Sequence, residues 1–264
     1  MSALSQAVSR YSTYLAWLLN SGYSPSYRWY INRGAVRIPL ENVDDFLTTY
    51  DVYANGHYDR LYASLPHGSV LWDIGANIGV TSLIFAQSPK IAHIYAFEPM
   101  PHTFACAQRS LGANPDFSEK VTLQNLGVGD RNGNLEISYT KKAKAAIGVS
   151  EIPPRLKMLY RIKPEDMEKI TIHLVDAAEV VDQIKQAHPG AAIFLKLDAE
   201  GAEYGIIDRL VETGRIADIT AAAIEWHMQP GEPYLTSALQ TAGFNTQAKA
   251  LEPDNSIGMI DAWR

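Results

Sequence analysis

From Ser69 onward, short apolar runs alternate with segments whose apolar positions recur at helical spacing. "VLWDI", "AHIYAFE" (92 to 98), "VTLQNL" (121 to 126), "ITIHLV" (170 to 175), "AIFLKLD" (192 to 198) and "ITAAAIEWH" (219 to 227) read as strands. Helices are predicted between them over 79 to 87, 101 to 112, 177 to 187 and 203 to 213, and a further one over 233 to 242. Strands joined through helices imply right-handed crossovers and a mostly parallel α/β sheet. "FNTQAKAL" and "SIGMIDAW" then form a terminal hairpin, which predicts an antiparallel last strand inserted into that sheet.

Two regions depart from this rhythm. Residues 1 to 60 read as an N-terminal extension ahead of the main domain, 61 to 264. In the extension, Leu4, Val8, Tyr11, Leu15 and Leu18 make one helical stripe, suited to packing on its own domain or to a homodimer contact. "SGYSPSY" (21 to 27) reads as a linker, "RWYINRGAVRIPL" as a hairpin, and residues 43 to 65 as helix broken at Asn55-Gly56. The second departure is 141 to 169, basic at its start and split by prolines, which reads as a substrate lid or binding loop.

Composition narrows the class. The chain has 264 residues, 47% hydrophobic and 20% charged, the balance of a folded domain with one principal core. A net charge of −6 argues against a general nucleic-acid binder, and no apolar stretch is long enough to span a membrane. The lone cysteine, Cys106, makes no internal disulfide and reads as a buried thiol, so a cytoplasmic setting is expected.

The turn after the first core strand carries Asp73-x-Gly75-x-Asn77-x-Gly79. A dinucleotide loop needs glycine where Asn77 stands, so that the backbone can approach a pyrophosphate. Asp73 at the strand end would repel a pyrophosphate and suit a cationic amine. S-adenosyl-L-methionine offers that amine and no phosphate. Glu98, ending the second strand, suits the two ribose hydroxyls of either cofactor class.

"VLWDIGANIGVTSLIFA", "IYAFEPMPHTFACAQRSL", "VTLQNLGVGDRNGNLEI", "FLKLDAEGAEYGIIDRL" and "AAIEWH" resemble, in order and spacing, the FkbM-type family of S-adenosylmethionine-dependent methyltransferases. The resemblance covers roughly residues 57 to 227, and "KLDAEGAE" is its most specific phrase. It implies a Rossmann-like class I methyltransferase fold, with a seven-stranded, mostly parallel sheet and helices on both faces. It also implies methylation of a hydroxyl oxygen on a saccharide or secondary metabolite. Carried over by position, Asp73, Gly75, Asn77 and Gly79 would line the methionine part, and Glu98 would hold the ribose. Pro99, Met100, Leu126 and Gly127 would lie about the adenine.

Strand alternation puts Lys196 and Asp198 on one face, and Glu225 and His227 on one face, near the sheet edge where ligands bind. His227, neutral near pH 7, is the first candidate for general base and Asp198 the second, with Asp198 also able to meet the cofactor amine. Lys196 requires an anionic partner, Glu225 or Asp198. Asp198, Glu225 and His227 could hold a divalent metal, although a metal is not the favoured reading. Glu200 reaches the site from its loop, whereas Glu203 reads as structural. His57, Tyr58, Arg155 and Tyr160 are candidate substrate contacts, and Lys141, Lys142, Lys144 and Arg161 lie in the same basic insert. The competing readings are a non-catalytic cofactor-binding scaffold and a nicotinamide-dependent oxidoreductase.

Overall fold

The computed structural model describes residues 21–24, 28–33, 35–54, 58, 63, 65–142, 157–158 and 161–264. The expected N-terminal helix with its dimer contact, His57, Lys144, Arg155 and Tyr160, and most of the expected lid, lie outside these residues.

Strands β1 (Ser21–Ser24), β2 (Arg28–Arg33) and β3 (Val36–Leu40) form an antiparallel sheet, followed by helix α1 (Val43–Ala54). The stretch read as a linker therefore begins with a strand. Its backbone groups pair with β2, from Ser21 opposite Ile31 to Ser24 opposite Arg28, which propensity at Gly22 and Ser24 does not foretell. Val36 and Ile38 of β3 are buried against Ile78, Val80, Leu83 and Cys106, so this sheet packs on the main domain.

The main sheet contains β4 (Ser69–Ile74), β5 (Ile91–Phe97), β6 (Val121–Gln124), β10 (Ile193–Leu197), β11 (Ile219–His227), β12 (Asn245–Ala250) and β13 (Ile257–Trp263). Their order is β12-β13-β11-β10-β4-β5-β6, with β13 antiparallel to both neighbours and the other pairs parallel. This is the expected Rossmann-like sheet with an inserted antiparallel strand.

The helices are α2 (Val80–Ala86), α3 (Pro101–Gly112), α4 (Pro115–Ser118), α5 (Ala177–Ala187), α6 (Glu203–Glu212) and α7 (Glu232–Thr241). Pro101 opens α3, where a missing N–H costs nothing. Asp176 caps α5 by accepting from Ala178 N at 2.8 Å, and its carboxylate also receives Arg209 of α6 at 2.7 Å. Because side chains alternate along a strand, Val70, Trp72 and Ile74 of β4 enter the core beneath α5, α6 and α7. Leu71 enters the opposite core with Phe85 of α2, Phe194 and Tyr58. Lys196 and Asp73 fall on that second face, paired across neighbouring strands.

The strand predicted at 170 to 175 does not join the main sheet. It belongs to β9 (Glu168–Asp176), which pairs parallel with β7 (Gly127–Gly129) and antiparallel with β8 (Gly133–Tyr139). β10 is buried along its whole length, as a central parallel strand requires, whereas β9 alternates buried Ile172 with exposed Thr171 and His173. One side of β9 faces water, which suits a small accessory sheet. Among the described residues, no helix is long and apolar enough to cross a membrane.

Candidate functional site

The loop after β4 is built by close approach. Gly75 and Ala76 donate to Phe97 O at 3.0 and 2.9 Å, tying the loop to the end of β5. Gly75 has φ +75°, and a Cβ there would fall 1.8 Å from Asp198 O. Asn77 has φ +49°, a conformation asparagine tolerates better than most residues. Its N–H donates to Glu98 Oε2 at 3.0 Å, while Met100 N donates to Glu98 Oε1 at 2.9 Å.

Glu98 is thus presented from the end of β5 into a cavity of about 540 Å³. Gly75, Asn77, Pro99, Met100 and Gly127 line the same cavity, which is closed on one side by Leu135, Ile137, Ile172 and Leu174 of the accessory sheet. Burial pushes the Glu98 carboxyl up to about 8, against the pull of its two backbone donors. Asn125, which sequence reading missed, fixes the turn below it by donating to Glu98 O and Pro99 O at 2.9 and 3.1 Å.

Three expected cofactor residues do not reach this wall. Asp73 is fully buried: its Oδ2 accepts from Ser82 Oγ at 2.6 Å and its Oδ1 lies 3.4 Å from Lys196 Nζ. Gly79 faces Ala107 of α3, and Leu126 packs into the core beneath α5 to α7. Asp73 therefore supports the loop from beneath.

A smaller adjoining cavity, about 140 Å³, shares Gly75, Asn77, Asp198 and Glu200 with the larger one. Tyr58, Thr48, Asp51, Lys196 and Glu225 also line it. Lys196 Nζ donates to Ile74 O at 3.1 Å and Gly75 O at 2.6 Å, and lies 3.4 Å from both Asp73 and Asp198. Burial opposes its charge, but those two carboxylates prevail and raise its pKa. Of the partners expected for Lys196, Asp198 is present and Glu225 is replaced by Asp73. The Tyr58 hydroxyl, its pKa raised by burial, stays protonated.

His227 lines neither cavity. Its Nδ1 lies 2.9 Å from Glu203 Oε1, and its Nε2 lies 3.7 Å from carboxylate oxygens of Glu200 and Glu225. Burial lowers its basicity, but the bond to Glu203 and the charge of Glu200 outweigh that and push it up to about 10. The histidine expected to face the reacting group instead faces the carboxylates of Glu200, Glu203 and Glu225. Burial likewise raises Glu200 to about 8 and lifts Glu225 well above the usual carboxylate range.

Glu203, read from sequence as structural, is the anchor of this cluster. It is fully buried and accepts from Ala199 N and Gly201 N at 2.9 Å as well as from His227. Its place within "KLDAEGAE" was the available signal. For a metal, the ligand atoms that gather are those of Asp198, Glu200 and His227, all within 4.8 Å of one another; Glu225 stands beside them. Lys142, from the start of the basic insert, pairs with Asp166 at 2.7 Å.

The Methyltransferase FkbM domain family matches residues 73–245. The chain is 25% identical to Methyltransferase sdnD of Sordaria araneosa over 232 residues, covering 81% of this chain and 88% of that one. It is 24% identical to Hexuronic acid methyltransferase AglP of Haloferax volcanii over 224 residues, covering 84% and 83% of the two chains. The crystal structure of Methyltransferase FkbM from Methylobacillus flagellatus KT superposes with a TM-score of 0.44 at 16% identity, covering 74% of this chain and 44% of that one.

Proposed function

The chain belongs to the methyltransferase FkbM family, and we propose that it transfers the methyl group of S-adenosyl-L-methionine to a hydroxyl oxygen of a saccharide or related metabolite. The observation that carries this reading is Glu98, whose carboxylate is held at the cavity wall by two backbone N–H groups with lone pairs left for a ribose diol. The residues fit that cofactor. Gly75 lets the loop close on the end of β10, where a side chain would collide with Asp198 O, and Met100 and Pro99 supply apolar surface for a purine. Asn77 occupies the place a pyrophosphate loop keeps empty, which argues against the nicotinamide reading.

Bound there, S-adenosyl-L-methionine supplies a methyl carbon on a positively charged sulfur, open to in-line displacement by an oxygen lone pair. The protein's part is positioning and proton removal. The smaller cavity, contiguous through Gly75 and Asn77, receives the acceptor. Tyr58 lines that space, and Glu225 takes the acceptor's proton on a carboxylate oxygen. Glu225 is preferred over Asp198, which is held by Lys196, and over His227, which lines neither cavity. A hexuronic acid acceptor is supported by the name of the archaeal relative.

Isothermal titration of the folded chain with S-adenosylhomocysteine is expected to show one site. Mass spectrometry of hexuronic and neutral saccharides incubated with protein and S-adenosyl-L-methionine is expected to show a gain of one CH2. Absence of any binding would overturn the proposal, and binding without transfer to any acceptor would favour the scaffold reading.

A further inference from the structure

We propose that Asp198, Glu200 and Nε2 of His227 form a binding site for one oxygen-seeking divalent cation, Mg2+ or Mn2+, at the rim shared by the two cavities. Asp198 and Glu200 come from the loop after β10 and His227 from the end of β11, and their ligand atoms lie within 4.8 Å of one another. Around an octahedral ion with bonds of about 2.1 Å, neighbouring ligand atoms are roughly 3 Å apart and opposite ones roughly 4.2 Å. Small side-chain rotations close the difference.

The carboxylates alone would not make the case; the histidine does. Its side chain is 95% buried, being 5% exposed, and Nδ1 is committed to Glu203. Nε2 is therefore the atom aimed into the cluster, and it has no hydrogen-bond partner. The nearest carboxylate oxygens, of Glu200 and Glu225, stand at 3.7 Å, beyond hydrogen-bond reach. A buried imidazole with one nitrogen fixed by a carboxylate and the other turned toward carboxylates is the arrangement by which proteins orient a metal-binding histidine. Here the same carboxylate does more: Glu203 also accepts from Ala199 N and Gly201 N, so it shapes the loop that carries Asp198 and Glu200.

Charge points the same way. Asp51, Asp198, Glu200 and Glu225 line the smaller cavity, and Lys196 is the one cation among the described lining residues. Its ammonium is spent on Asp73, Asp198 and two backbone carbonyls. A divalent ion bound by Asp198 and Glu200 would leave coordination positions open toward that cavity, where an acceptor oxygen, or the carboxylate of an anionic sugar, would bind and lose its proton more readily. That role toward the acceptor rests on the methyl-transfer reading; cation binding itself does not. One His with two carboxylates and water suits Mn2+ and Mg2+ better than the softer metals.

The test is an electron paramagnetic resonance titration of the chelator-treated full chain with Mn2+. One Mn2+ per chain is expected, displaced by excess Mg2+, with pulsed spectra carrying the nitrogen modulation of a single imidazole. Glu200→Gln is expected to weaken Mn2+ at least tenfold with unchanged circular dichroism, and His227→Gln to abolish the nitrogen modulation. Should His227→Gln fail to fold, Glu200→Gln decides alone. No saturable Mn2+ binding, or binding without nitrogen coupling that Glu200→Gln leaves unaltered, overturns the site. S-adenosylhomocysteine titrated in the same buffer separates the two proposals: its binding without Mn2+ removes only the cation site, and Mn2+ binding without it removes only the cofactor reading.

Discussion

Glu203 Oε1 and His227 Nδ1 meet at 2.9 Å, joining the first turn of α6 to the last residue of β11 inside the protein. Because the carboxylate also accepts two backbone N–H groups of the preceding loop, it fixes an imidazole and a loop at once. Glu203→Gln keeps the shape and removes the charge, leaving one donor facing an amide N–H. Urea unfolding is expected to show a loss of about 2–4 kcal/mol, the scale for buried charge-assisted bonds. A change under ~0.5 kcal/mol would show that the network does not hold the loop.

Lys196 neutralises two carboxylates and donates to the carbonyls of Ile74 and Gly75. Lys196→Met strands Asp73 in a fully buried position, and a loss of about 3–5 kcal/mol is expected. Lys196→Met combined with Asp73→Asn is expected to recover part of it. A double-mutant cycle by urea denaturation measures the coupling, and simple additivity of the two changes would refute the pairing.

Gly75→Ala places a methyl group 1.8 Å from Asp198 O at φ +75°. The loop or the end of β10 has to shift, so stability is expected to fall by at least ~1–3 kcal/mol, with S-adenosylhomocysteine binding lost. Calorimetry and titration of one preparation read both effects. Wild-type affinity in this variant would mean that the loop does not shape the cofactor wall.

Glu98→Gln is expected to weaken S-adenosylhomocysteine about tenfold or more while the fold persists, since charged acceptors contribute ~1.5–3 kcal/mol per bond. In wild type the Glu98 carboxyl sits at about 8 in the free protein, so binding to the carboxylate tightens as pH rises through about 8. The stability effect has the opposite sign. A carboxyl raised from 4.5 to about 8 on folding contributes stability fully below 4.5, and that contribution is lost as pH rises toward and through 8. Thermal unfolding of wild type minus Glu98→Gln across that range reads it; a flat difference would place Glu98 in water.

Much of this architecture was legible along the chain. Continuous apolar runs at β4 and β10 mark strands buried on both faces, and the terminal hairpin marks the antiparallel insertion of β13. β9 was harder: its apolar residues read as strand, but only its exposed alternate positions separate an accessory sheet from a central one. Gly75, Asn77 and Glu98 were legible as a wall because loop geometry is local.

Asp73 and His227 were not, and the reason is physical. A period of two tells which face of a strand a side chain occupies, so Lys196 with Asp198, and Glu225 with His227, could each be assigned to one face from sequence alone. Which of them touch depends on register between strands distant in the chain, and the pairing of Lys196 with Asp73 exists only once β10 lies against β4. Burial and charge are likewise collective. The sequence by itself determined the family, most of the run of strands and helices along the chain, and the loop residues Gly75, Asn77 and Glu98 that line the larger cavity. Tertiary packing alone decided that Asp73 supports the loop from beneath, and that His227 stands, held by Glu203, within a carboxylate cluster.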